Sequence, residues 1–430
     1  MDYDLVIIGA GWAGINAAQR AKALGLNVVI IEKDKIGGTC LNRGCIPAKS
    51  LFYSAKLYAL AQKSKIFGID VSTQQINFSQ IQARKERITG QLLRGLEALL
   101  KGIDMISGEA RILSHNTIQV NDRKLNAGSI LIACGSRPSE LKELKFDGLK
   151  IISSDEILGL KELPASLLVV GGGVIGCEFA GIFSKLGTRV SIVEKMPQLL
   201  PGEDKETARK LEVIFKKKGV TVNTNADAGK IDFKNYDLVL ACVGRTPNTD
   251  GLGLEQLGMK LERGRIFTDE YLRTSISDIY AAGDCTGKIM LAHYAAYQGR
   301  IAAENIADPC RLKQCDYSGV PSAIFTDPEI ASVGLNEDNA KAQGMDIVIN
   351  KFDFLGSGMA RILDETEGFI KIISERDTNR IIGASIIGPH ATELIAILTL
   401  AVSARLQTQQ IKDTIFAHPT LSESIHEALK

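Results

Sequence analysis

The sequence has no surplus of either charge. Its 51 lysines and arginines stand against 50 aspartates and glutamates, a formal net charge of +1, so no chain-wide field recommends nucleic acid or an anionic membrane as partner. It also lacks an apolar run of the roughly 18 to 20 residues needed to span a bilayer. Cysteine is scarce: eight in 430 residues are too few for a secreted disulfide scaffold. Four of them, Cys134, Cys177, Cys242 and Cys285, sit singly in apolar segments, where a free thiol behaves as a small core residue. The opening Met1-Asp2-Tyr3-Asp4-Leu5-Val6-Ile7-Ile8 enters a strand at once, with no room for a secretory leader. The expectation is a soluble cytoplasmic chain, a processed organellar matrix protein being the alternative. A hydrophobic content of 45% over this length excludes a single small module and provides for two or three cores.

What the sequence does contain is a repeated unit. The first copy runs Leu5-Val6-Ile7-Ile8, Gly9-Ala10-Gly11-Trp12-Ala13-Gly14, a helix to about Leu24, and Val28-Val29-Ile30-Ile31-Glu32. The second runs Leu167-Leu168-Val169-Val170, Gly171-Gly172-Gly173-Val174-Ile175-Gly176, a helix to about Leu186, and Val190-Ser191-Ile192-Val193-Glu194. In such a turn Gly9 or Gly171 makes the bend, and Gly11 or Gly173 lets backbone approach a pyrophosphate. Gly14 or Gly176 then allows helix and strand to close up. The N–H groups at the helix start hold phosphate, and Glu32 or Glu194 can accept from a ribose hydroxyl. Two dinucleotides are implied. Glu194 would repel a 2′-phosphate, so the second site should prefer NAD to NADP; a solvated strand-end charge is the plainer reading of that residue.

Two cysteine pairs share a spacing of four intervening residues but differ in setting. Cys40 and Cys45 lie in Gly37-Gly38-Thr39-Cys40-Leu41-Asn42-Arg43-Gly44-Cys45-Ile46-Pro47-Ala48-Lys49, just after the first glycine unit. Cys310 and Cys315 lie in a polar connector without glycine and read as loop residues; two thiols without further ligands make a poor zinc site, and no metal is expected.

The segment Gly37 to Cys45 resembles the redox-disulfide segment of the flavoprotein disulfide reductases, the class I pyridine nucleotide-disulfide oxidoreductases. Its Cys-Leu-Asn-Arg-Gly-Cys form is similar to the branch that oxidises dihydrolipoyl groups. The resemblance continues through Leu131 to Pro138, Ala241 to Asn248, Ile279 to Asp284 and Pro321 to Glu329, and it ends in Ala417-His418-Pro419-Thr420-Leu421-Ser422-Glu423. It implies an α/β fold with two Rossmann-like domains, for FAD and NAD, and an α+β C-terminal dimerisation domain. The limits it suggests are 1–145 (FAD), 146–265 (NAD), 266–315 (return to the FAD domain) and 316–430 (dimerisation).

The residue roles that follow are those the resemblance implies. Cys45 is the thiolate nearer the flavin and Cys40 the interchange thiol; His418 is the base, oriented by Glu423, since an imidazole exchanges its proton near neutral pH. Lys49 and Glu178 pair beside the flavin, a surface ion pair being the alternative for each. FAD falls to Gly9, Gly11, Gly14, Glu32, Lys33, Thr39, Lys49, Ala110, Ala133, Gly135, Asp284, Leu291, Ala292 and His293, with Asp284 on the ribityl chain. NAD falls to Gly171, Gly173, Val174, Ile175, Gly176, Glu178, Glu194 and Gly244. The expected assembly is a homodimer serving a lipoyl-bearing protein of a 2-oxoacid dehydrogenase or glycine cleavage complex. No lipoyl domain or Pro/Ala linker precedes Met1, so the lipoyl group is expected on another chain.

Rival readings are weaker on the residues. A glutathione reductase would carry basic residues where Glu194 stands, and a mercuric reductase would end in a cysteine pair that Glu423 to Lys430 lacks. A flavin-bearing subunit without turnover would have no call on Cys40, Cys45, Lys49, His418 and Glu423 together. Two departures stand out. Between Gly219-Val220-Thr221-Val222 and Tyr236-Asp237-Leu238 there is little room for the hairpins usual there, and Tyr294 and Tyr297 replace commonly charged positions. The apolar stretch Leu394 to Val402 reads either as a core helix or as part of an interface.

Overall fold

The computed structural model describes residues 2–71 and 75–430. The chain divides into two compact units, one of residues 1–50, 79–139 and 244–315 and one of residues 51–78, 140–243 and 316–430.

The first unit is built on a seven-stranded sheet. Strands Tyr3–Ile8, Val28–Glu32, Asp104–Ser107 and Ile279–Ala281 join it in parallel with the second half of the long strand Arg123–Ile132. The first half of that strand pairs antiparallel with Thr117–Val120, which pairs with Ala110–Ser114. Leu5, Val6 and Ile7 are fully buried, as a continuous apolar run covered on both faces of a parallel sheet requires. Helix Trp12–Ala23 packs along helix Ala292–Ala307. The close approach is made by Gly299, where a Cβ would lie 2.1 Å from the Ala13 carbonyl oxygen.

The second unit contains two sheets. A five-stranded parallel sheet runs in the order Thr221–Asn223, Arg189–Val193, Ser166–Val170, Leu238–Ala241, Ile151–Ile152. Between residues 223 and 238 the chain makes only two 3-10 turns, Ala228–Lys230 and Phe233–Asn235, so the missing hairpins inferred from the sequence are replaced by short turns. An antiparallel sheet of five strands spans Pro321–Ile324, Glu329–Gly334, Ile381–Gly388, Phe369–Glu375 and Ile347–Asp353. Helix Ala391–Ser403 covers it with Leu394, Ile395, Leu398 and Val402 in the core and Leu400 exposed, which assigns most of that apolar stretch to the core. On strand Phe369–Glu375, Lys371 is 4% exposed. Its ammonium reaches Asp204 at 2.9 Å and Glu337 at 2.8 Å. Asp204 also caps helix Lys205–Lys217 by accepting from Glu206 and Thr207 N–H.

One expectation shifts. The chain leaves the parallel sheet of the second unit at Val243, not at 265. Arg245–Pro247 pair with Ser136–Pro138, and Leu252, Leu254, Met259 and Ile266 fill the core of the first unit. The last helix, Glu423–Leu429, follows a turn that takes up the Glu423 side chain, as described below.

Candidate active site

In the first glycine turn the three glycines meet three distinct constraints. Gly9 has φ +110°, and a Cβ on it would lie 2.3 Å from the Ala133 carbonyl oxygen; one on Gly14 would lie 1.9 Å from the Gly9 oxygen. A Cβ on Gly11 would meet nothing within 4 Å, so on that side bare backbone faces open space at the head of a 12-residue helix. That is the shape a pyrophosphate needs. Glu32 accepts from Ala10 N–H at 2.6 Å and from Asp34 N–H at 2.8 Å, and each oxygen keeps a lone pair for a ribose hydroxyl.

The rest of the predicted FAD set gathers in the same unit. Ala133 donates its N–H to the Ile8 carbonyl at 2.8 Å, and Gly135 has φ +69° and a Cβ on it would meet nothing within 4 Å. Asp284 opens a 3-10 turn after Gly283 and accepts from Ser136 Oγ at 2.5 Å. Ser136 is itself held by Arg245, whose Nε donates to Ser136 Oγ at 2.7 Å. Lys33 is an exposed partner of Glu109 at 3.0 Å, next to Ala110 on its strand. Leu291, Ala292 and His293 form the start of helix Ala292–Ala307.

The second turn repeats the first. Gly171 has φ +104° and a Cβ there would lie 2.2 Å from the Cys242 oxygen; on Gly176 it would lie 1.9 Å from the Gly171 oxygen, and Gly173 is open. Val174 and Ile175 make the first turn of helix Val174–Lys185, and Gly244 has φ +117° and open space. Glu194 is 8% exposed and accepts from Gly172 N–H at 2.6 Å and Met196 N–H at 2.7 Å. Both turns therefore fit a dinucleotide.

The thiols of Cys40 and Cys45 lie near enough to perturb one another. Cys40 lies on the short helix Gly38–Arg43, Thr39 beside it, and Cys45 starts helix Cys45–Gln62 with Lys49 one turn on. Cys45, then burial, push the Cys40 thiol far above the usual thiol range, while Trp12 and Lys49 pull it down. In the second unit, His418 Nδ1 and Glu423 Oε1 are 2.8 Å apart, and Thr420 N–H donates to the other Glu423 oxygen at 2.8 Å. These two bonds, the Thr420 one first, hold the Glu423 carboxyl below the ordinary range. The His418 side chain is 81% exposed, so the ring is oriented by the carboxylate yet accessible. Glu178 is buried and accepts from Phe325 N–H at 3.0 Å.

Sequence reasoning missed several residues here. Ser136 and Arg245 lay inside quoted motifs, but only the pairing of residues 136–138 with 245–247 shows that they seat Asp284. Gln298 is fully buried and accepts from Gly283 N–H at 2.7 Å; a glutamine inside an Ala/Gly-rich helix was its signal. Cys134 and Cys285, expected to be core residues, lie in and against the core of the first unit; the neighbouring Cys134 and burial raise the Cys285 thiol. Cys310 is exposed and Cys315 buried, both free; burial pushes Cys315 up to about 11.

This arrangement of two glycine turns, a vicinal thiol pair and a His–Glu pair has counterparts. A family profile described as pyridine nucleotide-disulphide oxidoreductase matches residues 3–299, and that family's dimerisation domain matches residues 320–429. The chain belongs to the pyridine nucleotide-disulphide oxidoreductases, enzymes that bind FAD and NAD. Among its relatives are enzymes named dihydrolipoyl dehydrogenase. That of Bacillus subtilis is 39% identical, with 99% of this chain and 97% of the relative covered; that of Geobacillus stearothermophilus is 40% identical, with 100% and 96% covered. The first alignment runs to 464 positions against 430 residues here, so that relative carries residues this chain does without. Among solved structures, LpdA of Mycobacterium tuberculosis superposes with a TM-score of 0.92 at 31% identity over 99% of this chain and 98% of that one. The HOCl-induced flavoprotein disulfide reductase RclA of Escherichia coli gives 0.88 at 29% identity, covering 99% of each. No described helix is long and apolar enough to cross a membrane.

Proposed function

We propose that this chain oxidises dihydrolipoyl groups carried by another protein of a 2-oxoacid dehydrogenase or glycine cleavage complex, passing the electrons to NAD as a cytoplasmic homodimer. The observation that carries the reading is the Cys40–Cys45 pair, two neighbouring thiols on successive helices, Gly38–Arg43 and Cys45–Gln62, that follow the first dinucleotide-type unit. Names of the relatives support the substrate.

In the oxidised pair, a substrate thiolate attacks the Cys40 sulfur and Cys45 leaves with the electron pair of the broken S–S bond. The second substrate thiolate then attacks the substrate sulfur bound to Cys40. Cys40 leaves, the substrate is a cyclic disulfide, and the enzyme pair is a dithiol. His418 takes the protons released by the substrate thiols, and Glu423 steadies its cationic form, as the third member of a triad does. FAD, held by the first turn, Glu32 and Asp284, supplies two-electron transfer from the dithiol to NAD at the second turn. Lys49 places positive charge by the thiol pair. Glu194 leaves no place for a 2′-phosphate and selects NAD.

The test is a steady-state assay of the flavin-loaded protein with dihydrolipoamide and NAD or NADP, against NADPH with glutathione disulfide as control. Rapid NAD reduction, little NADP reduction and loss of at least about 10³-fold in Cys45→Ser are expected. Turnover with glutathione disulfide alone would reject the substrate and the nucleotide while leaving the thiol pair in place.

A further inference from the structure

We propose that Lys371 is a positioning residue for the nucleotide: through Asp204 and the strap of residues 195–204 it fixes the backbone of the second glycine turn in the form that takes a dinucleotide. The proposal rests on the reading of that turn as the NAD site.

Lys371 stands on the antiparallel sheet, remote in sequence from the turn. Its ammonium is held by Asp204 and Glu337, and Glu206 lies farther off at 3.6 Å. A buried ion pair does little for net stability, since the cost of taking both charges out of water offsets their attraction. What it fixes is geometry, because a carboxylate that moves off a buried ammonium leaves both charges unpaired. Asp204 is held on both oxygens: Oδ2 meets Lys371, and Oδ1 accepts from Glu206 and Thr207 N–H at 3.0 and 3.2 Å. Thr207 Oγ1 lies 2.8 Å from Ser385 Oγ, both buried. The head of helix Lys205–Lys217 is thus tied to two strands of the antiparallel sheet.

From Asp204 the chain runs back to Glu194 along a strap laid on the glycine turn. Glu203 N–H donates to the Leu200 carbonyl at 2.9 Å. Leu200 is 2% exposed and has φ +48°, a left-handed conformation that a leucine keeps where its surroundings impose it. Its N–H donates to the Gly172 carbonyl at 2.8 Å, and Leu199 fills the space that a Cβ on Gly172 would need. Gly172 N–H in turn donates to Glu194. Gly172 is therefore gripped at both its N–H and its carbonyl, next to the open Gly173. The first turn has the same grip, since Ala10 donates its N–H to Glu32 and accepts at its carbonyl from Gly37 N–H. There the gripping segment goes on to the thiol pair; here it goes on to Asp204 and Lys371. A turn formed in advance spares the nucleotide the cost of ordering it, so a loosened strap shows as weaker binding.

The experiment uses the flavin-loaded protein with two probes. NAD is followed in turnover with dihydrolipoamide, and ADP-ribose, which carries pyrophosphate and ribose without nicotinamide, is followed by equilibrium dialysis. Asp204→Asn keeps a capping side chain and removes the charge opposite Lys371. It should weaken ADP-ribose binding and raise KM for NAD by about 3 to 30-fold, with kcat and KM for dihydrolipoamide within about twofold. Lys371→Met should act in the same direction, and adding Asp204→Asn to it should cost nothing further. Glu337→Gln removes the other near carboxylate and leaves the strap in place, so both nucleotide values should stay within about twofold of wild type. Equal weakening in Glu337→Gln would mean a general loosening of the sheet and overturn the proposal, as would unchanged ADP-ribose binding in Asp204→Asn. Hydrogen exchange in the unsubstituted protein needs no variant to fold: the amides of residues 195–204 should be protected by about 10²-fold or more without nucleotide. Exchange at open-chain rates that slows on addition of NAD overturns the proposal. Glu194→Ala separates the two failures. If KM for NAD does not move there either, the second turn is not the NAD site; a rise there with no response in Asp204→Asn removes Lys371 alone.

Discussion

A Cβ on Gly14 would fall 1.9 Å from the Gly9 oxygen, and one on Gly176 the same distance from the Gly171 oxygen; up to this point the two turns are copies. They part at the position after the first glycine. The first turn has Ala10, fully buried, and a partly exposed Glu32. The second has Gly172, where a Cβ would meet Leu199 at 2.6 Å and Glu194 at 3.1 Å, and its Glu194 is buried. They part again at what is laid against them: in the first turn Gly37 donates its N–H to the Ala10 carbonyl at 2.8 Å, while Val174 of the second is 40% exposed. Backbone sterics make the shared part obligatory for any pyrophosphate; what surrounds it determines whether the turn serves a flavin beside a thiol pair or an exchangeable nucleotide.

The largest effects should come from the shared part. Gly14→Ala forces a backbone shift in the first turn and should yield colourless protein, with flavin absorbance lost and activity down by about 10²-fold or more. Gly176→Ala should leave the protein yellow and instead raise KM for NAD by about 10 to 100-fold. Loss of flavin from both variants would break the division of labour. Smaller effects should come from the acids. Glu194→Ala removes the acceptor of two N–H groups and should raise KM for NAD about tenfold while narrowing the preference over NADP, because charge-assisted bonds of about 1.5 to 3 kcal/mol are lost. Glu32→Ala should weaken flavin retention and leave that preference alone.

The smallest effect concerns stability in acid, and it sharpens the comparison because it belongs to the second unit. Lys341, then Lys371, hold the Glu337 carboxyl down at about 2, below the roughly 4.3 of an unfolded glutamate. A depressed folded pKa gives stability that is present above the unfolded value and lost as pH falls from about 4.5 toward about 2. Glu337→Gln should therefore flatten the fall of Tm across that window by a few degrees, a modest change because the group is partly exposed. Identical acid limbs in both proteins would remove Glu337 from the account.

Much of the site could be read from residue order alone. Strand, glycine turn, helix, strand and acid follow one another within about 30 residues, and Cys40 to Cys45 and His418 to Glu423 are local as well, so the groups that meet are near neighbours in the chain. The helices ended within two residues of the expected positions for the same reason. What was hidden depends on the path of the chain. Ser136 and Arg245 are 109 positions apart, and Cys134 and Cys285 met although each sat in an ordinary apolar strand context. The exit from the parallel sheet of the second unit at Val243 was misplaced because a three-residue strand, Arg245–Pro247, has too little pattern to be seen before its partner is known.

The interrupted course of the first unit has a consequence for synthesis on the ribosome. Its sheet begins with Tyr3–Ile8 but is completed only by Ile279–Ala281, while every strand of the parallel sheet of the second unit lies between residues 151 and 241. Domains fold as they emerge, and pairings distant in sequence form late. The parallel sheet of the second unit, though it starts later in the chain, is thus the earlier one able to assemble, and the sheet of the first unit waits with its first strands made and its last one not yet translated.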